Sequence, residues 1–155
     1  MLSSKISSEN YKNQFKEKEE IFNSYFNEVT SRNIFPSNYH SFRHRCEFSV
    51  LNTDHGIKYS MIKDNKRVEI DEYPICSESI QTLMKELLKT VNLEEVLYKK
   101  IFQIEFQSSR SKEVMVSLIY HKKLGSDWIE KATLIKDNLK CSVIGRSKNQ
   151  KLIIG

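Results

Sequence analysis

The sequence predicts an α+β fold, a mainly antiparallel β-sheet with flanking helices, as a single domain over residues 1–155. Three observations carry that expectation. Several short segments alternate apolar with polar residues, the period of a strand with one wet face. Others repeat apolar residues every three or four positions, the period of a helix with one apolar face. The two kinds of segment follow no regular strand-helix-strand order, which argues against a parallel α/β sheet.

From Ser8 to about Val29, Tyr11, Phe15, Phe22, Phe26 and Val29 share one helical face. Ser7, Ser8 or Asn10 could cap this helix. Its other face carries KEKEE, Lys16 to Glu20, a solvated surface of helical charge pairs. Pro36 interrupts the pattern, and RHRCEFSVL then alternates, placing Cys46, Phe48 and Val50 on one side of a strand. NTDHG turns into a second strand near Ile57 to Ile62, and DNK into a third near Arg67 to Ile70, so an antiparallel meander is expected.

Beyond Pro74, Ile80, Leu83, Met84, Leu87, Leu88 and Val91 keep helical spacing, with Ser77 or Ser79 as the cap, and NLEEVLYKK adds a short helix. FQIEFQ alternates strictly, with Phe102, Ile104 and Phe106 opposite Gln103, Glu105 and Gln107, and EVMVSLIY completes a hairpin after the polar SSRSKE turn. A helix beginning at Gly125 and Ser126 bears Trp128, Ile129, Ala132, Ile135 and Leu139, and CSVIG and KLIIG form two last strands around RSKNQ. No internal repeat or linker divides the chain. The apolar KLIIG at its end suggests that more protein follows.

Composition narrows the function classes. With 39% hydrophobic residues, 29% charged residues, four Gly and two Pro, the chain is not low-complexity and should fold. A net charge of +5 suits polyanionic partners without identifying one. Cys46, Cys76 and Cys141 are odd in number and lack CxxC spacing, so neither a disulfide framework nor a zinc site is implied; unpaired thiols in a reducing cytoplasm are expected. MLSSKISSENYKNQ lacks the apolar core of a signal peptide, and no window approaches a membrane span, so a soluble cytoplasmic protein without membrane contact is expected.

Catalytic motifs are missing. There is no G-x-G-x-x-G, P-loop or H-E-x-x-H. The carboxylates of Glu17, Glu19, Glu20, Asp71, Glu72, Glu94 and Glu95 lie in polar or helical surroundings that suit surface charge. Cys46 has Arg45 beside it, but its place on the apolar side of a strand favours a buried thiol over a nucleophile. Cations do gather at strand ends, in FRHR (Phe42 to Arg45), YHKK (Tyr120 to Lys123) and GRSKNQK (Gly145 to Lys151). Were those ends to converge, they would form a phosphate-contacting patch with aromatics available to stack on unpaired bases. The plainer alternative is that they are solvated strand ends.

YKNQFKEK, SFRHRCEFSV, FQIEFQSSRSKEVMVSLIYHKKL and VIGRSKNQKL, in this order and at these separations, closely resemble the N-terminal part of the bacterial tRNA (uracil-5-)-methyltransferase family, over about Tyr11 to Ile154. The resemblance implies an RNA-binding domain that, in the family, precedes a Rossmann-like S-adenosylmethionine-dependent domain methylating uracil C5 in the tRNA T-loop. It implies that Phe102 and His121 approach the T-loop and that Arg43 and Arg45 match family arginines. For Phe102 core packing stays open beside the RNA role, and for His121 a solvated strand end does. Ser49 stands where the family commonly carries arginine. With Gln103 added, and with the cations Lys122, Lys123, Arg146 and Lys148 as phosphate partners, these residues make up the candidate RNA-binding set.

In the family a cysteine adds to uracil C6 so that C5 can attack the sulfonium methyl, on a base turned out of its loop. The family's S-C-N-P, glycine-rich turn and D-P-P-R segments have no counterpart in these 155 residues. The expectation is therefore a chain that binds the tRNA T-arm but does not methylate. It would hold no catalytic residue, no metal and no cofactor of its own, as a fragment, a truncated gene product or a split subunit. The alternative is an interaction module docking a separately encoded methyltransferase domain.

Overall fold

The structure, a computed structural model, describes residues 7–155. One seven-stranded sheet has the order β3-β2-β1-β4-β5-β6-β7. Its strands are β1 (Arg45–Thr53), β2 (Gly56–Lys63), β3 (Lys66–Glu69), β4 (Ile101–Ser108), β5 (Val114–Tyr120), β6 (Ser142–Ser147) and β7 (Gln150–Ile154). The helices are α1 (Ser8–Tyr25), α2 (Glu78–Asn92), α3 (Glu95–Tyr98) and α4 (Ser126–Leu139). Every neighbouring pair of strands is antiparallel except β5 and β6, which run parallel with α4 as the crossover.

The turns explain the meander. Asp64 and Asn65 have φ of 50° and 59°, so two residues suffice to return β2 into β3, as a hairpin turn with both central residues left-handed requires. Gly56, at φ 121°, opens β2 where a side chain would overlap the Asn92 amide. That amide accepts from the Ile57 N–H at 2.7 Å and donates to the Ile57 carbonyl at 3.1 Å, joining the end of α2 to β2.

Helices α2, α3 and α4 pack on one face of the sheet and on one another. Ser77 caps α2, accepting from the Ile80 N–H at 3.4 Å, and the helix buries Ile80, Leu83, Met84, Leu87 and Val91. Between helices and sheet lie Phe48, Tyr59, Phe106, Val116, Leu118, Tyr120 and Trp128. The buried phenols are satisfied: Tyr59 donates to the Met84 carbonyl at 2.9 Å and Tyr120 to the Leu97 carbonyl at 2.8 Å. Burial pushes both above the usual tyrosine range. Gly145 lets β6 approach α4, since an added methyl would come within 2.7 Å of Leu124 Cδ1 and closer still to the Trp128 ring.

Two expectations need correction. The helix α1 stops at Tyr25, short of Val29, and none of its residues is buried. Ser7 caps it, accepting from the Asn10 N–H at 3.1 Å. It is held instead by the segment that follows, through Arg32 to Glu19 at 2.7 Å and the Tyr11 and Ser37 hydroxyls at 3.2 Å.

The second concerns the cysteines. Cys46 and Cys76 are paired as a disulfide, with Cα atoms 6.7 Å apart, and only Cys141 is a free thiol. Spacing in sequence could not show the pairing because a tertiary contact creates it. Arg43 donates its N–H to the Ile75 carbonyl at 2.8 Å and accepts from the Ser77 N–H at 2.7 Å, which lays the segment before α2 along the entry to β1.

Candidate nucleic-acid interface

Strict alternation would put Phe102 in the core with Ile104 and Phe106. Instead the β4–β5 register shifts between Ile101 and Gln103, after Lys100 at φ 61°. The extra residue of such a bulge re-aims its neighbours. Ile101, 1% exposed, takes the inward place beside Ile104 and Phe106, and Phe102 is left half-buried at the surface. The Lys100 carbonyl accepts from the His121 N–H at 2.9 Å, fixing His121 opposite the bulge. The Phe102 and His121 rings are stacked, with centroids 3.9 Å apart and planes inclined by 14°.

The parallel β5–β6 pair then decides which cations join them. Parallel strands end on the same side, so the exit of β5 at His121 and the exit of β6 at Arg146 to Lys148 lie together. They enclose a cleft of about 820 Å³ lined by Phe102, His121, Lys122, Lys123, Arg146, Lys148 and Asn149, among others. Gln150, which sequence reasoning overlooked, pins its two walls. Its amide accepts from the Leu124 N–H at 2.9 Å and the Ser147 hydroxyl at 3.1 Å, and donates to the Leu124 carbonyl at 3.1 Å. Lys122 is the most constrained cation: its Nζ donates to the Val96 carbonyl at 2.6 Å and stands 5.5 Å from the Tyr120 ring centroid. Desolvation by burial draws its pKa below the usual lysine value.

The third cation cluster does not reach this cleft. Arg45 pairs with Gln107 at the far end of β4 from Phe102, and Arg43 sits in the backbone clamp beside Cys76. Gln103 lies on the sheet face away from the helices, donating to Glu105 Oε1 at 3.2 Å. Ser49, also on that face, is half-buried between Ser60 and Gln103 in the strand register. A smaller groove of about 210 Å³ on this open face runs between Arg45 and Arg146, so Arg146 belongs to both depressions.

Nucleophilic chemistry finds little support. Cys46 and Cys76 are paired, and burial pushes the Cys141 thiol up to about 11. Among the described residues no group of three or more His, Cys, Asp or Glu side chains could hold a metal ion. Among them, too, no helix is long and apolar enough to cross a membrane.

The geometry is that of a stacking platform ringed by cations, and the chain is similar in sequence to known proteins. The family profile described as tRNA (Uracil-5-)-methyltransferase matches residues 10–155. The tRNA/tmRNA (uracil-C(5))-methyltransferase of Wolinella succinogenes is 39% identical over 152 residues, 94% of this chain and 41% of the relative. The protein of that name from Acinetobacter baylyi is 34% identical over 156 residues, 96% of this chain and 43% of the relative. The one from Chromohalobacter salexigens is 37% identical over 128 residues, 78% of this chain and 34% of the relative. The chain thus spans about two fifths of the length of the first two relatives.

Proposed function

Because this chain belongs to the tRNA (uracil-5-)-methyltransferase family, we propose that it is the tRNA-binding part of an S-adenosylmethionine-dependent enzyme forming 5-methyluridine in the T-loop. By itself it binds the T-arm without methylating it. The stacked Phe102–His121 pair at the mouth of a cationic cleft carries this reading. Unpaired loop bases present π faces that an aromatic platform holds, while lysine and arginine neutralise the phosphates on either side.

The residues of the cleft do not fit S-adenosylmethionine, whose sulfonium is itself a cation and would face Lys123, Arg146 and Lys148. None of the three cysteines is placed as a nucleophile toward uracil C6, two being paired and the third buried. Both observations favour a chain whose own part is capture of the RNA.

Titration of a T-arm hairpin against an unrelated hairpin, at several salt concentrations, tests the reading. Tighter, salt-sensitive binding of the T-arm is expected; equal binding of the two would overturn it.

A second reading rests on the N-terminal region. Tyr25, Phe26 and Phe35 are exposed, the last at 88%, along a helix and segment that bury nothing in the sheet. This favours docking of a methyltransferase domain there. Co-purification of such a domain with the chain, lost in the Phe26→Ser and Phe35→Ser variants, is the expected outcome.

A further inference from the structure

The open face of the sheet holds a second, smaller depression that the T-arm reading leaves unused. Its floor is one row of the strand register: Glu105 on β4 faces Ser117 on β5, which faces Ile144 on β6. Met115 forms a side, and Arg45 and Arg146 stand at opposite ends. At about 210 Å³ it has room for one nucleobase and not for a helix or a strand.

Its polar groups keep capacity for further hydrogen bonds. Ser117 is only 6% exposed as a residue, and its hydroxyl, which makes no hydrogen bond among the described residues, opens onto the groove. A hydroxyl open to a groove and without a protein partner is free to donate to or accept from a bound molecule. The Glu105 side chain is 19% exposed; its Oε1 accepts from Gln103 at 3.2 Å, while its Oε2 lies 3.8 Å from Arg45, too far for a hydrogen bond. Across the strands Glu105 faces Glu47, a like charge that makes an incoming donor more welcome.

We infer that this groove is a nucleobase subsite selective for an unpaired cytosine or adenine next to the base held by Phe102 and His121. The inference rests on the RNA-binding reading above. The exocyclic amino group donates to the Glu105 carboxylate, and the adjacent ring nitrogen accepts from the Ser117 hydroxyl. Ile144 and Met115 cover the faces of the ring, and Arg146, shared with the larger cleft, holds the phosphate between the two bases. Uracil is rejected because its carbonyl would meet the carboxylate where the amino group should be.

Hairpins sharing one stem and differing at single loop positions, cytosine or adenine against uracil, test this with the chain as it stands. At one position uracil is expected to weaken binding about tenfold, within the range for a good base-edge contact. Glu105→Gln, which can donate to a carbonyl, should reduce that penalty to below about threefold, and Ser117→Ala should lower it as well. Phe102→Ala should weaken all hairpins alike and keep the penalty. Should the hairpins bind with no discriminating position, or both groove variants keep the full penalty, the subsite is overturned while RNA binding stands. Should no hairpin bind at all, the RNA-binding reading falls and takes the subsite with it.

Discussion

His121 lies ring over ring on Phe102, with centroids 3.9 Å apart, although the two are separated by the whole of the β4–β5 hairpin. The bulge after Ile101 and the His121 N–H bond to the Lys100 carbonyl produce this contact, and both leave the core untouched.

Removing one ring should therefore hurt binding and spare folding. Base-aromatic stacking is worth about 1–3 kcal/mol per base, so Phe102→Ala or His121→Ala should weaken T-arm binding by roughly 5- to 150-fold. Urea midpoints should stay near those of the unchanged protein. Affinity held within twofold would remove Phe102 and His121 from the interface.

Arg146 and Lys148 make no ion pair among the described residues, so their charge is available to phosphate. For single-stranded contacts each neutralised phosphate contributes about 0.7 to the slope of log affinity against log salt. Lys148→Ala should flatten the slope by about that amount and weaken all RNAs alike. Measuring affinity across a salt series for both proteins checks it.

Pairing of Cys46 with Cys76 leaves a single titratable thiol in the unfolded, unreduced chain. A thiol-reactive dye should count one group in denaturant without reductant and three after reduction. Three groups before reduction would refute the pairing.

Cys141 supplies a pH dependence whose sign can be worked out. Burial raises its pKa from the ordinary thiol value of 9.0 to about 11, so the folded chain keeps a proton that the unfolded chain releases. Its contribution is complete below pH 9 and is lost as pH climbs toward 11. Tyr59 and Tyr120 add similar losses only above their ordinary value of 10.0. Stability measured from pH 8 to 10 should fall for the natural chain and fall less for Cys141→Ala.

Gly145→Ala should destabilise by about 1–3 kcal/mol, the usual cost of overpacking, because the new methyl meets the Trp128 ring and Leu124. Urea denaturation measures it. RNA affinity should drop as well, since Arg146 is the next residue and Leu124 is held by Gln150.

Much of the architecture was legible because it is written in local periods. Alternation placed Cys46, Phe48 and Val50 inward on β1, and helical spacing gave α2 and its Ser77 cap. What escaped was long-range or depended on one residue of register. The bulge reversed Phe102, since nothing in FQIEFQ distinguishes a strand that slips by one place from one that does not. The separation of Arg43 and Arg45 from the other cations follows from strand direction, and so does the meeting of Arg146 with His121. The groove at Ser117 was invisible because its floor comes from three strands, each contributing a single unremarkable side chain.

Synthesis delivers this sheet from one side. The meander of β1 to β3 and the β4–β5 hairpin can close through turns as soon as they emerge, but β6 cannot align beside β5 until α4 has formed and folded back. Until then Trp128 has no Gly145 to cover it, and His121 has no opposite wall. The cleft is thus complete only when the C-terminal hairpin of β6 and β7 has arrived.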